Sequence, residues 1–211
     1  MNKIYLLNDD KYENIINLPM IKINFFDKKI DLEPYDALIF TSKNGVRAID
    51  KIDKNWIKKD IYSIGQGTSK EIKKYDAKLI YTAKSSYGNT FALEIKEKLK
   101  DKKVLFLRAK EVTSKLNQIL LEAGINLKEE VVYETTCRAY KQDKPSFDDA
   151  VVIFTSPSTI KCFFKNFNWN STCRAVCIGK VTAKAMPENL KYTLSKQQII
   201  QSCIELAKIL S

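Results

Sequence analysis

Short apolar runs alternate along this chain with longer stretches in which apolar residues recur every three or four positions. KIYLLN (3–8), MIKINFF (20–26), ALIF (37–40), IYSI (61–64), AKLIYT (77–82) and KVLFLRA (103–109) read as strands. The helical period appears from about Asn44 to Ile52, over TSKEIKKY (68–75), through SSYGNTFALEIKEKL (85–99) behind a polar start, and from about Val112 to Ala123. Gly124 supplies a stop signal for the last of these. NLKEEVVYETTCRAY (126–140) reads as extended, and KQDKPSFDD (141–149) as a polar loop. In the closing QIIQSCIELAKIL (198–210), residues Ile199, Ile200, Cys203, Ile204, Ala207 and Leu210 form one helical stripe. Strands alternating with helices predict an α/β fold of parallel sheets with helices on both faces.

Part of this pattern occurs twice. ALIFTSKNGVRA (37–48) matches VVIFTSPSTIKCF (151–163), and IYSIGQGTSKEI (61–72) matches AVCIGKVTAKAM (175–186). Thr41 precedes Gly65 by 24 positions and Thr155 precedes Gly179 by 24, so both pairs are offset by 114 residues. KIYLLN and KVLFLRA extend the likeness, giving tandem units of roughly 3–100 and 103–211. A twofold repeat of this size predicts two similar lobes rather than a solenoid, which wants three or more units. The Ser/Thr turns of the two lobes are expected to face each other across a cleft.

At 211 residues with 45% hydrophobic content, the chain can bury a core in each lobe. No apolar run approaches the roughly 18 residues of a membrane span. MNKIYLLNDD carries acids where a signal peptide would continue apolar, so a cytoplasmic setting is expected. The five cysteines, Cys137, Cys162, Cys173, Cys177 and Cys203, show no framework spacing, and reduced, mostly buried thiols follow. Histidine is absent, which leaves acid–base chemistry to Tyr, Asp, Glu, Lys or water and removes every His-containing metal site. The net charge of +11 fits an anionic partner, yet Lys supplies 32 of the 36 basic residues, as a lysine-rich composition alone would produce.

In open parallel sheets, ligands bind beyond the carboxyl ends of the strands. Thr41-Ser42, Gly65-Gln-Gly-Thr68, Thr155-Ser156 and Gly179-Lys-Val-Thr182 all fall at such strand-to-helix turns. There a hydroxyl can cap the helix, and the backbone N–H groups and the helix dipole favour carboxylates or phosphates. Capping alone would explain any single one of these residues, but not the repeated set. Gly65-Gln-Gly67 lacks the third glycine of a dinucleotide fingerprint, and no phosphate loop occurs. Ser158-Thr-Ile-Lys161 matches S-x-x-K without its companion motifs. Cys173 and Cys177 lack the further ligands a metal needs. Tyr133, at the end of a strand near a lobe junction, is either an amphipathic interface residue or a proton donor.

Taken in order, FTSKNGV, SIGQGT, VLFLRAKEVTSKLNQILLEAG, VVYET, FTSPST and CIGKVTAKA resemble the uroporphyrinogen-III synthase family over nearly the whole chain. The resemblance implies two flavodoxin-like lobes joined by two connecting segments around a cleft. Residues 1–32 with 137–211 would form one lobe, 36–132 the other, and 33–35 and 133–136 the connectors. It implies a monomeric lyase of haem biosynthesis that needs no cofactor and no metal. Its substrate would be hydroxymethylbilane, a linear tetrapyrrole with eight carboxylates, cyclised to uroporphyrinogen III with inversion of ring D and loss of water.

Residue by residue, Tyr133 matches the family's tyrosine that assists loss of the hydroxyl. Ser42, Thr68, Ser156, Ser158 and Thr182 match hydroxyls lining the cleft. Lys43 and Asn44 occupy a variable pair beside Ser42, and Tyr87-Gly88-Asn89 matches a further cleft loop. Arg108 and Arg174 match basic positions suited to propionate or acetate groups. The chain departs from the family in having Arg108-Ala109 where Arg-Gly is common, and in lacking the usual glycine within ENLKYT (188–193). Two rival functions remain at this level: a two-lobed sensor for an anionic small molecule, and a nucleic-acid binder. Low Arg content and the absence of a nucleic-acid motif count against the second.

Overall fold

A computed structural model of the protein describes residues 2–85, 87–140 and 145–211. The first four residues of the expected polar loop 141–149, and Ser86 in the expected helical run 85–99, lie outside the described residues. The elements run β1 (Ile4–Leu6), β2 (Ile16–Asn17), β3 (Ile21–Phe25), β4 (Ala37–Phe40), α1 (Lys43–Ile52), β5 (Asp60–Ser63), α2 (Gly65–Lys73), β6 (Leu79–Thr82), α3 (Gly88–Ile95), β7 (Lys103–Ala109), α4 (Leu116–Glu122) and β8 (Asn126–Cys137). They continue with β9 (Val151–Phe154), α5 (Pro157–Asn166), β10 (Arg174–Cys177), α6 (Lys180–Ala183), β11 (Tyr192–Leu194) and α7 (Ile200–Leu210). Short 3-10 turns occupy Lys54–Lys58 and Lys96–Leu99.

The chain divides into two compact units, Met1–Lys22 with Thr136–Ser211, and Ile23–Thr135. In the first, a parallel sheet has the order β11-β10-β9-β1-β2. Counting the strands of that unit alone, this is the flavodoxin-like order 2-1-3-4-5. Period-two alternation sorts the side chains onto its faces. Tyr5, Val152, Phe154, Ala175 and Cys177 join α5 and α6 in one core, while Ile4, Leu6, Val151, Ile153 and Val176 meet Cys203, Ile204 and Ala207 of α7 in the other. Strands buried on both faces, such as β9, read as continuous apolar runs for this reason.

In the second unit the order is β3-β8-β7-β4-β5-β6, with β8 through β6 parallel throughout. Matching β7 to β1, β8 to β2, and β4–β6 to β9–β11 gives the same 2-1-3-4-5 order, entered at a different strand. Here Ile39, Tyr62, Val104 and Phe106 pack under α3 and α4, while Leu38, Phe40, Leu105 and Leu107 pack under α1, α2 and Trp56. Gly124, at φ 77°, ends α4 with its N–H donating to the Leu121 carbonyl (2.9 Å), as its stop signal predicts.

The structure corrects three expectations. Residues 23–35, assigned from the sequence to the first lobe and its connector, belong to the second unit, because Ile23, Phe25, Ile30, Leu32 and Tyr35 pack into the core with Phe40 and Trp56. The tandem halves 3–100 and 103–211 are likewise not the units, since each sheet draws its strands from both. Cys137 and Cys162 form a disulfide rather than two thiols. Cys137 ends β8, Cys162 lies on the buried face of α5, and both pack on one core with their Cα atoms 5.1 Å apart, a separation such a bridge spans. Cys177 and Cys203 are buried thiols, and burial pushes Cys177 up to about 12.

Candidate active site

Each sheet carries its strand-to-helix turns at its carboxyl edge. In the second unit, Ser42 follows β4 in extended conformation and caps α1, its Oγ accepting from the Asn44 N–H at 3.2 Å. Lys43 is exposed and Asn44 half-buried in the first turn. Gly45 lets α1 lie against the sheet: a Cβ there would stand 3.0 Å from the Leu107 carbonyl oxygen. The Ser42 side chain also lies close enough to the Tyr133 hydroxyl to favour its ionised form. Tyr133 pairs with Ala109 across β8 and β7, is 6% exposed, and sits in the core beneath α1. Burial raises its phenol above the ordinary tyrosine range, and the Ser42 hydroxyl acts in the opposite sense. Tyr133, which the sequence leaves as either an interface residue or a proton donor, is a buried phenol with Ser42 beside it.

The turn after β5 is shaped by Gly65 at φ 71°, a left-handed conformation that a side chain would strain. No side chain caps α2, and Thr68 is buried in its first turn. Beneath it lies a hydroxyl chain absent from the sequence reading: Ser69 Oγ stands 2.8 Å from Ser63 Oγ and 2.9 Å from Thr82 Oγ1, and donates to the Gly65 carbonyl at 3.1 Å. Ser63, the one small polar residue within IYSI, is its only sequence signal. α3 also starts without a side-chain cap, after the exposed Tyr87. Gly88 and Asn89 hold that start against the segment after β7. A Cβ on Gly88 would collide with Ser114 at 2.4 Å, and Asn89 Oδ1 accepts from the Lys115 N–H at 2.8 Å. Arg108 is committed within its unit, paired with Glu129 and donating to the carbonyls of Ala109 and Lys110.

In the first unit, Ser156 caps α5 in a reciprocal box with Thr159, each side chain accepting the other's backbone N–H at 3.2 Å, and Pro157 opens the helix. Ser158 is half-buried in that first turn. Gly179 caps α6 with backbone only, and Thr182 is buried. None of α1, α2, α3 and α5 has an acid in its first turn, so no side chain of that turn neutralises the positive end of the dipole. Arg174 is not brought together with these residues. It opens β10 at the opposite, amino-terminal edge and donates to the Leu210 carbonyl.

An ion pair that the sequence reading missed ties α1 to α2. Arg47 grips Glu71 through two bonds of 2.7 and 3.2 Å, and Lys74 adds a third of 2.8 Å. The Arg47 guanidinium foremost, then Lys74, holds the Glu71 carboxyl at about 2 against a desolvation that opposes it. The folded value lies below the unfolded one, so the stabilisation is complete above pH 4.5 and fades as pH falls toward 2. Half-exposed partners screen the pair, which leaves about 2 kcal/mol. Urea unfolding across that window should show Glu71→Gln destabilised most at pH 6, with the difference from wild type shrinking toward pH 2. A pH-independent difference would contradict the assignment.

A sequence profile of uroporphyrinogen-III synthase HemD matches residues 10–205. The chain belongs to the uroporphyrinogen-III synthase family. Among solved structures, the uroporphyrinogen-III synthetase of Helicobacter pylori 26695 is 29% identical, with a TM-score of 0.86 over the whole of both chains. A mutant uroporphyrinogen III synthase from the extremely thermophilic bacterium Thermus thermophilus, 12% identical, has a TM-score of 0.60 over 100% of this chain and 98% of its own, and shows the shared fold alone. No curated protein sequence matches the chain. The uroporphyrinogen-III synthase match spans both carboxyl edges, from before β2 to within α7. Among the described residues no helix is long and apolar enough to cross a membrane, and no group of three or more Cys, Asp or Glu is placed to hold a metal ion.

Proposed function

We propose that the protein cyclises hydroxymethylbilane to uroporphyrinogen III, inverting ring D with loss of water, as a monomeric cytoplasmic lyase of haem biosynthesis. The family match carries this reading, and the carboxyl edges supply its chemistry. On the second unit, substrate carboxylates are matched to backbone N–H groups at α1, α2 and α3, with Ser42, Thr68 and Tyr87 beside them and Lys43 and Asn44 at the rim; the first unit offers the same kind of carboxylate-binding turn at α5, with Ser156 and Ser158. Thr182, Gly88 and Asn89 hold the turns in shape. Arg108 and Arg174 are left out of the proposed site, since one is spent on Glu129 and the other lies at the far edge of its sheet.

Tyr133 gives its phenolic proton to the departing hydroxyl. The C–O bond breaks, water leaves, and an azafulvenium cation remains on the tetrapyrrole. The Ser42 hydroxyl, at the positive end of α1, steadies the phenolate left behind. Ring D is then attacked at its substituted carbon through a spiro intermediate, and the phenolate recovers a proton as the final ring forms. Because the substrate also closes unaided to the type I isomer, positioning of ring D decides the product.

Incubation with hydroxymethylbilane and chromatographic separation of the products, after oxidation to the porphyrins, provides the test. Type III isomer in excess of type I is expected. Only type I above the spontaneous background would reject the enzyme and leave a binding protein in its place.

A further inference from the structure

A groove of about 820 Å³ opens on the first unit at the amino-terminal edge of β10 and β11, the opposite end of the sheet from the Ser/Thr turns. Phe164 and Trp169 form one wall, Tyr192 and Pro187 line it from the segment leading into β11, and Arg174 and Lys191 are its cations. Its lining contains no carboxylate, and the neighbouring Glu188 is not part of it.

The polar groups here are only partly engaged. Arg174 donates to the Leu210 carbonyl and pairs with no acid among the described residues. Lys191, the Trp169 indole N–H and the Tyr192 hydroxyl make no hydrogen bond or ion pair with any described residue, and Lys191 and Tyr192 are exposed. Trp169 is held in place by an aromatic cluster, with ring centroids 6.0 Å from Phe163 and 6.3 Å from Phe154 and from Phe164.

We infer that this groove is a second binding site, apart from the proposed reaction, for a planar aromatic carboxylate. Fixed aromatic walls favour a flat π-system by stacking and edge contacts. Two cations without a counter-charge favour an anion, and a guanidinium matches a carboxylate by two parallel bonds. The volume lies within the roughly 300–1,000 Å³ typical of small-molecule sites. A peptide or a second copy of the chain would fit the exposed β11 edge, but nothing in that edge requires a negative partner. The site also explains why Arg174, a basic residue suited to carboxylates, lies far from the carboxyl edge.

Trp169 is a built-in reporter, since the other tryptophan, Trp56, is fully buried in the other unit. Titration of the intact protein with naphthalene-2-carboxylate should quench its fluorescence saturably, and Trp169→Phe should abolish the signal. Lys191→Gln, at an exposed and unpaired position, should weaken the acid roughly threefold or more. Arg174→Gln should weaken it roughly tenfold. Neither change should alter the weaker binding of the neutral naphthalene-2-methanol. The inference is overturned by any of four outcomes: no saturation, equal affinity for acid and alcohol, quenching that survives Trp169→Phe, or affinity for the acid unchanged in both charge variants. Type III synthesis is measured separately, so either conclusion can fail without the other.

Discussion

Tyr133→Phe is expected to slow formation of the type III isomer roughly 100-fold, the lower end of what a positioned proton donor contributes. The substitution removes one oxygen from a side chain only 6% exposed and leaves its ring in the core with Phe40 and Val46. Stability should therefore change by no more than about 1 kcal/mol, the worth of one hydrogen bond. Thr68→Ala deletes a hydroxyl from the first turn of α2, where backbone N–H groups remain to hold a carboxylate, so its effect on the rate should be smaller. Initial rates measured from separated isomers, beside urea midpoints, distinguish the two variants. Wild-type turnover in Tyr133→Phe would remove the phenol from the proposed chemistry while leaving the family assignment intact.

Phe163→Ala should produce the largest loss of stability, about 3–5 kcal/mol. Phe163 is fully buried on α5 and is the hub of the first unit's aromatic core. Its ring lies 5.1 Å from Phe147, 5.4 Å from Phe154, Phe164 and Phe167, and 6.0 Å from Trp169. Truncation leaves a cavity that these rigid rings cannot readily fill, and it loosens the helix that Ser156 caps. Phe163→Leu, which keeps most of the volume, should cost much less. Urea unfolding followed by near-ultraviolet circular dichroism measures both variants, and equal midpoints would show that the cluster collapses freely around the gap.

Much of the architecture is legible in local pattern. KVLFLRA announces its own strand, and the structure sends Val104 and Phe106 to one core and Leu105 and Leu107 to the other, as period two requires. The Ser/Thr turns are also local, and Ser42 and Ser156 cap the helices they precede. What the sequence hides is distant pairing. β3 joins the second unit because it lies beside β8, a neighbour about a hundred residues away, so the boundary moves from residue 32 to residue 22. β2 and β11 are too short to show a period, at two and three residues. α4 starts at Leu116 rather than near Val112, and residues 110–114 instead form the loop against Gly88. The closeness of Ser42 to Tyr133 brings together residues of different elements that no spacing rule connects.

The strand order imposes a schedule on the nascent polypeptide. Every residue that pairs with β4 through β7 lies between residues 37 and 133, so that part can complete its pairing as soon as it leaves the ribosome. β1 must wait longer, for one of its flanking partners is Val151–Phe154, and the Tyr5 hydroxyl donates to the carbonyl of Ser146. Until then Ile4 and Leu6 have no opposite face to cover them. During translation these residues are made before the whole second unit yet sheltered after it, and this is the interval in which a chaperone would find them.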